Sequence, residues 1–244
     1  MNAPRIYWLS DGDPAEAFPP ISSACTEPDG LLAAGGDLSP ERLLYAYRHG
    51  IFPWNGEDQV VLWWSPNPRC ILRPAEFHVS RRLRRDIKNS DLQFSFNQAF
   101  AEVVAACAAS RPSQDGTWIT SDMAQAYGQL HELGWAHSVE IWRADELVGG
   151  LYGLAIGHAF FGESMFSRVN NASKIAMLAL CHSLVEHRFS ILDCQVVSPH
   201  LLSLGVQLIP REEFRDILNL ACDPADKALH WPTERLAVSS LAVC

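Results

Sequence analysis

No C-x-x-C pair occurs in the 244 residues, and the seven cysteines are scattered and odd in number. Neither a structural zinc site nor a disulfide framework has the spacing it needs, so reduced, buried thiols in a cytoplasmic protein are expected. No apolar run approaches the roughly 18 to 20 residues that a membrane-spanning helix requires. The opening MNAPRIYWLSDGDPAEAFPP has no basic start leading into an apolar segment, so a secretory signal is not expected. Basic charge is scarce: 19 Lys and Arg stand against 28 Asp and Glu, a net charge of −9. That balance argues against a protein that simply coats nucleic acid. There is no G-x-S-x-G elbow, no obvious Cys–His pair and no internal repeat. The expectation is a chain without metal, cofactor or membrane, monomeric by default.

What the chain does have is enough apolar content, 48% of residues, for one large or two modest domains. One segment breaks the acidic trend. In 81-RRLRRDIK-88, Arg81, Arg84, Arg85 and Lys88 fall at helical spacing on one face, with Arg82 beside them. Such a stripe is either a solvated helix face or a phosphate contact. The stretch 39-SPERLLYAYRHG-50 opens on Ser-Pro-Glu and closes at a glycine, which predicts a short helix. A proline- and tryptophan-rich stretch to Pro74 follows, with a short strand near residues 60–64, and suggests a boundary between domains at 1–72 and 73–244. Helices are predicted over 97–110 and 120–134, a hairpin over 138–153 turning at Ala144-Asp145-Glu146, and a strand over 158–166. The longest helix follows over 171–189, then a strand over 189–195 and a helical turn over 199–205. This order predicts an α+β fold, with helices packed on a twisted mixed sheet.

Strand alternation places Phe161, Glu163 and Met165 on one face, and Ile191, Asp193 and Gln195 on one face of the later strand. A solvated face has no use for the apolar members, and a buried one strands two carboxylates at several kcal/mol each. A pocket apolar at one end and polar at the other reconciles them. Gly149, Gly150, Gly153, Gly157 and Gly162 fit either a close approach to the backbone or plain bulges and turns. Trp54, Trp63, Trp64, Trp118 and Tyr127 offer flat surfaces for a base, or simply core.

The strings 30-GLLAAGGDLSPERLLYAYRHGIFPW-54, 62-LWWSPNPR-69, 116-GTWIT-120, 145-DELVGGLYG-153, 162-GESMFS-167 and 193-DCQ-195 resemble, in order, the leucyl/phenylalanyl-tRNA–protein transferases. The likeness spans residues from about 18 to 215. It implies a small N-terminal α/β domain and a larger one resembling the acetyltransferase (GNAT) fold. It also implies transfer of leucine, phenylalanine and, less well, methionine from aminoacyl-tRNA to proteins bearing an N-terminal arginine or lysine, marking them for degradation. The tRNA is then a substrate rather than a cofactor.

The chemistry is ester aminolysis, which is downhill and needs no covalent nucleophile. It needs orientation, help with one proton and stabilisation of an oxyanion. Combining the resemblance with the alternation assigns Asp193 and Gln195 to this work: the aspartate orients the amide, and the amide positions the amine. Direct proton abstraction by Asp193 suits an ordinary aspartate poorly at pH 7. Phe161 and Met165, with Ile191 on the neighbouring strand and Phe160 if a bulge intervenes, are expected around the amino-acid side chain. Glu163 is expected at the polar end, near an amine. The resemblance makes Trp54 the platform for the terminal adenine, with Tyr47, Trp118 and Tyr127 nearby, and the 81–88 stripe the contact for the acceptor stem. His78, His131 and His200 are expected to be packing or surface residues. Two alternatives are weighed. A coenzyme A acyltransferase lacks support, because 168-RVNNASK-174 has no glycine where a pyrophosphate loop belongs. A non-catalytic RNA- or N-degron-binding module stays open.

Overall fold

The computed structural model describes residues 6–56, 59–109, 119–222 and 231–241. The alternating segments resolve into two β-sheets. Strands β1 (Tyr7–Leu9), β2 (Leu31–Gly35), β3 (Phe52–Pro53) and β4 (Leu62–Trp64) form the smaller, in the order β1-β2-β4-β3. Helix α1 (Pro40–Arg48) joins β2 to β3 and begins with proline at its first position, where no amide hydrogen is needed.

The larger sheet has eight strands: β5 (Arg69–Leu72), β6 (Gln93–Phe96), β7 (Ala136–Arg143), β8 (Glu146–Ile156), β9 (Ala159–Ser167), β10 (Ile191–Gln195), β11 (Gln207–Ile209) and β12 (Leu236–Ala237). Their order is β11-β5-β10-β9-β8-β7-β6-β12. Helices α2 (Arg81–Lys88), α3 (Phe100–Ala109), α4 (Ser121–Glu132), α5 (Ala172–Glu186), α6 (Pro199–Leu202) and α7 (Arg211–Ala221) complete the layers. Among the described strands of this sheet, β9 and β10 alone run parallel, joined by the α5 crossover. The fold is α+β with a mixed sheet, as the pattern of elements predicts. The β7–β8 hairpin closes through Ala144 and Asp145, with Ala144 at φ 50°. Thr120 caps α4 by accepting the Met123 amide at 3.2 Å.

Apolar side chains cover both faces of the large sheet. On one face Phe161, Ile191 and Tyr152 pack with Trp63, Leu43 and Leu9 of the N-terminal part. On the other, Phe160, Leu192 and Leu151 pack with α5 and with Leu83 and Ile87 of α2. The first core runs unbroken from the small sheet to the large one. Strand β5, which ends at the expected boundary after residue 72, is hydrogen-bonded between β10 and β11.

Three of the strand glycines are explained by the protein itself, among them Gly150, where a Cβ lies 2.6 Å from the Val139 carbonyl oxygen. A Cβ on Gly149 lies 2.4 Å from that of Ala172, so a side chain there would push the start of α5 off β8. A Cβ on Gly153 lies 2.1 Å from the Phe161 carbonyl oxygen. Gly162 differs: a Cβ there meets nothing nearer than 3.5 Å, and the residue lines a cavity. Of the close approaches expected at Gly149, Gly150, Gly153 and Gly162, the first three come from within the chain.

Candidate active site

Simple alternation fails at the two residues that matter most. In the β8–β9 pairing Tyr152 faces Ser164 and Gly153 faces Gly162, which leaves Glu163 as an extra, bulged residue. Every side chain beyond it changes face. Phe161 packs in the core beside Tyr47, whereas Met165 packs against the core on the α5 side. The expectation that Phe161, Glu163 and Met165 share a face is thus corrected. A second bulge lies in β10, where Asp193 faces Ile71 and Gln195 faces Cys70, with Cys194 between. Gln195 takes φ 61°, a left-handed conformation for a residue with a side chain.

These bulges bring Glu163 and Gln195 together. Gln195 Nε2 donates to Glu163 Oε1 at 2.9 Å. The same oxygen accepts from Tyr47 Oη on α1 at 2.7 Å, and Glu163 Oε2 accepts from Tyr127 Oη on α4 at 2.7 Å. Glu163 keeps 9% of its surface, Tyr47 and Tyr127 none. Burial pushes the Glu163 carboxyl up to about 7; the Asp193 charge adds to this, and the three hydrogen bonds oppose it. Burial, and then the Glu163 charge, hold both tyrosines well above the usual phenol range, so they stay protonated.

Asp193 is fully buried and paired with Arg69, whose Nε and Nη2 reach its oxygens at 2.9 and 2.7 Å. Arg69 also donates to the Gly50 carbonyl at 3.1 Å and lies between the rings of Phe52 and Phe214, 4.7 Å from each centroid. The Gln195 backbone N–H donates to Asp193 Oδ1 at 2.9 Å. Asp193 thus acts on Gln195 through the main chain, fixing the left-handed turn that aims its amide. Sealed under arginine, it is not among the residues that line the cavity.

The cavity measures about 570 Å³, within the span of ordinary small-molecule sites. Leu151, Met165, Met177, Leu180 and Leu192 give it apolar walls, Glu163, Gln195 and Ser164 polar ones, and Trp54 with Val197 a rim. Trp54 is 43% exposed and its ring is tilted 58° to that of Trp64. Ser164 Oγ is buried and has no hydrogen-bond partner among the described residues.

Residues 71–219 match the leucyl/phenylalanyl-tRNA protein transferase family, and residues 36–67 match its N-terminal domain. Curated leucyl/phenylalanyl-tRNA–protein transferases include one from Hahella chejuensis that is 55% identical over 217 residues, 89% of this chain and 92% of that protein. Another, from Stutzerimonas stutzeri, is 54% identical over 218 residues, 89% of this chain and 96% of the other. The chain belongs to the leucyl/phenylalanyl-tRNA protein transferase family. That makes it an aminoacyltransferase. Among solved structures, a GCN5-related N-acetyltransferase-like protein from Streptococcus suis covers 66% of this chain and 59% of its own. At 12% identity and a TM-score of 0.34, that likeness is too loose to bear on this fold.

Set against what the family resemblance implies, the expected residues divide. Trp54, Met165, Glu163 and Gln195 line the cavity. Phe160, Phe161 and Ile191 do not; each is fully buried in one of the two cores, Phe160 on the α5 side and the other two on the side of the small sheet. Tyr47 and Tyr127 stand behind Glu163 as its hydrogen-bond donors, not beside Trp54 as a base platform. Trp118 lies outside the described residues. In α2, Arg81, Arg82, Arg85 and Lys88 are exposed and Arg84 is half-buried, while Leu83 and Ile87 anchor the opposite side. Asp86 of α2 accepts from Asn171 Nδ2 at 2.9 Å, at the start of α5 and two residues before the cavity-lining Ser173. His131 packs on Phe100, but His200 reaches the cavity wall. Arg69 and the α5 residues Met177 and Leu180 were missed. For Arg69 the available signal was its place in the LWWSPNPR string; for α5, that its apolar residues wrap all round the helix.

Among the described residues no helix is long and apolar enough to cross a membrane, and no group of three or more His, Cys, Asp or Glu is placed to hold a metal ion.

Proposed function

We propose that the cavity receives the aminoacyl-adenosine end of a charged tRNA and that the chain transfers leucine or phenylalanine, and methionine less well, to the N-terminal arginine or lysine of acceptor proteins in the cytoplasm. The product carries a destabilising N-terminus and is degraded. The observation that carries the reading is one cavity, in a chain of this family, with Met165, Met177 and Leu192 on one side and Glu163 with Gln195 on the other. Methionines suit a site that takes both a branched aliphatic and a flat aromatic group, because they repack at little cost. The exposed Trp54 ring at the cavity supports the reading, since a free aromatic face can stack on the terminal base. The Gln195 amide, whose backbone is held by Asp193 and whose side chain meets Glu163, supports the reading by offering a fixed polar group to an incoming amine and the ester carbonyl. The ester is already activated, so the reading calls for no cofactor, and one protomer suffices.

The exposed cations of α2 supply the contact for the acceptor stem on an otherwise acidic body. Leucyl-tRNA incubated with the protein and a lysine-initiated peptide yields the leucyl-peptide. No product with either leucyl- or phenylalanyl-tRNA, alongside tRNA binding, makes the chain a binding module instead.

A further inference from the structure

Glu163, Tyr47 and Tyr127 meet through three oxygen–oxygen contacts. Tyr47 Oη lies 2.7 Å from Glu163 Oε1, Tyr127 Oη lies 2.7 Å from Glu163 Oε2, and the two phenol oxygens lie 2.5 Å apart. Each contact needs one proton between its oxygens, and two phenols supply two. With an ionised carboxylate both phenols donate to it, and their own oxygens then meet lone pair to lone pair. With a carboxylic acid the count closes. Gln195 Nε2 already donates to Oε1, so Oε1 stays an acceptor and the third proton belongs on Oε2. The protons then run one way round, from Oε2 to Tyr127, from Tyr127 to Tyr47, and from Tyr47 to Oε1. The ring is built to hold a proton at the cavity wall.

We propose that Glu163, closed into this ring by Tyr47 and Tyr127, takes the proton that the acceptor's α-ammonium must shed before it can attack. The proposal deepens the transfer reading above and rests on it. The ammonium gives one proton to the carboxylate, and its freed lone pair forms the C–N bond at the ester carbonyl carbon. The tetrahedral intermediate collapses with loss of the C–O bond to ribose, and the remaining surplus proton on nitrogen passes to the ribose oxygen. Glu163 then returns its proton to water, so one proton is released per peptide bond. The titratable groups facing Glu163 are Tyr47 from α1, Tyr127 from α4 and Asp193 from β10, the last paired with Arg69 of β5, while Tyr152 of β8 acts on the two tyrosines. Burial holds the Glu163 carboxyl at about 7, where both of its states are populated at neutral pH.

Glu163→Gln reproduces the ring, since the amide N–H can donate to Tyr127 and the amide oxygen accept from Tyr47, but it cannot take up a proton. We expect an unchanged melting temperature at acid pH and unchanged tRNA binding. Turnover falls roughly a hundredfold near pH 7, and the deficit shrinks as pH passes about 8, where the acceptor amine is already neutral. A loss that does not change with pH overturns the proposal. The ring is also read without turnover. The infrared difference between wild type and Glu163→Gln should show a protonated carboxylic acid near pH 6 that fades as pH rises through about 7. Tyr127→Phe, which opens the ring and keeps the carboxyl, should displace that titration. No acid band, or a titration unmoved by Tyr127→Phe, overturns the proposal even if transfer proceeds. A band with no transfer from any charged tRNA overturns the transfer reading instead, and with it the proton's destination.

Discussion

Phe161 and Met165, four residues apart on one strand, lie on opposite faces of the sheet. Regular pleating keeps such a pair together, so the difference belongs to the bulge at Glu163 between them. That extra residue turns Met165 toward α5 and the cavity while Phe161 stays in the core. Exchanging Met165 for alanine should therefore enlarge the apolar subsite and weaken discrimination against β-branched side chains by about 1–3 kcal/mol. Competition between leucyl- and valyl-tRNA in a transfer assay measures it. Phe161→Leu should instead lower stability and leave that ratio alone.

Arg69 and Asp193 make a sealed ion pair, and removing one partner strands the other. Arg69→Leu should cost about 3–5 kcal/mol in urea unfolding. Pairing it with Asp193→Leu should recover much of the stability but none of the transfer, because the Gln195 backbone loses its acceptor.

The strand glycines should separate by what surrounds them. Gly153→Ala pushes a methyl against the Phe161 carbonyl and should abolish soluble folded protein. Gly162→Ala has room and should fold normally, yet put that methyl at the cavity wall and lower transfer of phenylalanine more than of leucine. Equal losses for the two amino acids would speak against Gly162 facing the side-chain subsite.

Removing the exposed cations Arg81, Arg85 and Lys88 together should raise the KM for tRNA and leave turnover nearly unchanged. It should also flatten the dependence of log KM on log salt by about one for each phosphate left without its cation. A KM that does not move returns α2 to a solvated helix face.

Stability carries the same signature as the buried carboxyl. Glu163 titrates at about 7 in the folded chain, whereas an unfolded glutamate titrates near 4.3. Between those values the folded state holds this extra proton, so the contribution of Glu163 to stability is full below about pH 4 and is lost as pH rises through 7, by on the order of 3 kcal/mol. Glu163→Gln should lack this slope and be the more stable protein above neutral pH. Melting temperatures of the two across that window decide the point.

Element types were legible because their signals are local. Thr120 capping α4, the Ala144-Asp145 turn and the apolar run of α5 each depend on a few neighbouring residues. The pairing of Glu163 with Gln195 was anticipated only as a shared pocket, since strand alternation assumes a regular pleat. The two bulges break that pleat through cross-strand register, which no short window of sequence reports. Arg69 escaped for a related reason. It lies 124 positions from Asp193 along the chain, and β5 joins the large sheet although its sequence follows directly on the small one. Tyr47 and Tyr127 were singled out as aromatics, but their hydroxyls, not their rings, face the site.

Tyr47 arrives on α1, beside the small sheet, and Tyr127 on α4, beside the large one, so the carboxylate belongs to neither half of the chain alone. During synthesis the reactive corner stays incomplete until Gln195 has emerged and both halves have met. A growing polypeptide would then lack the assembled corner, and competence would arrive in one stroke with the final tertiary arrangement.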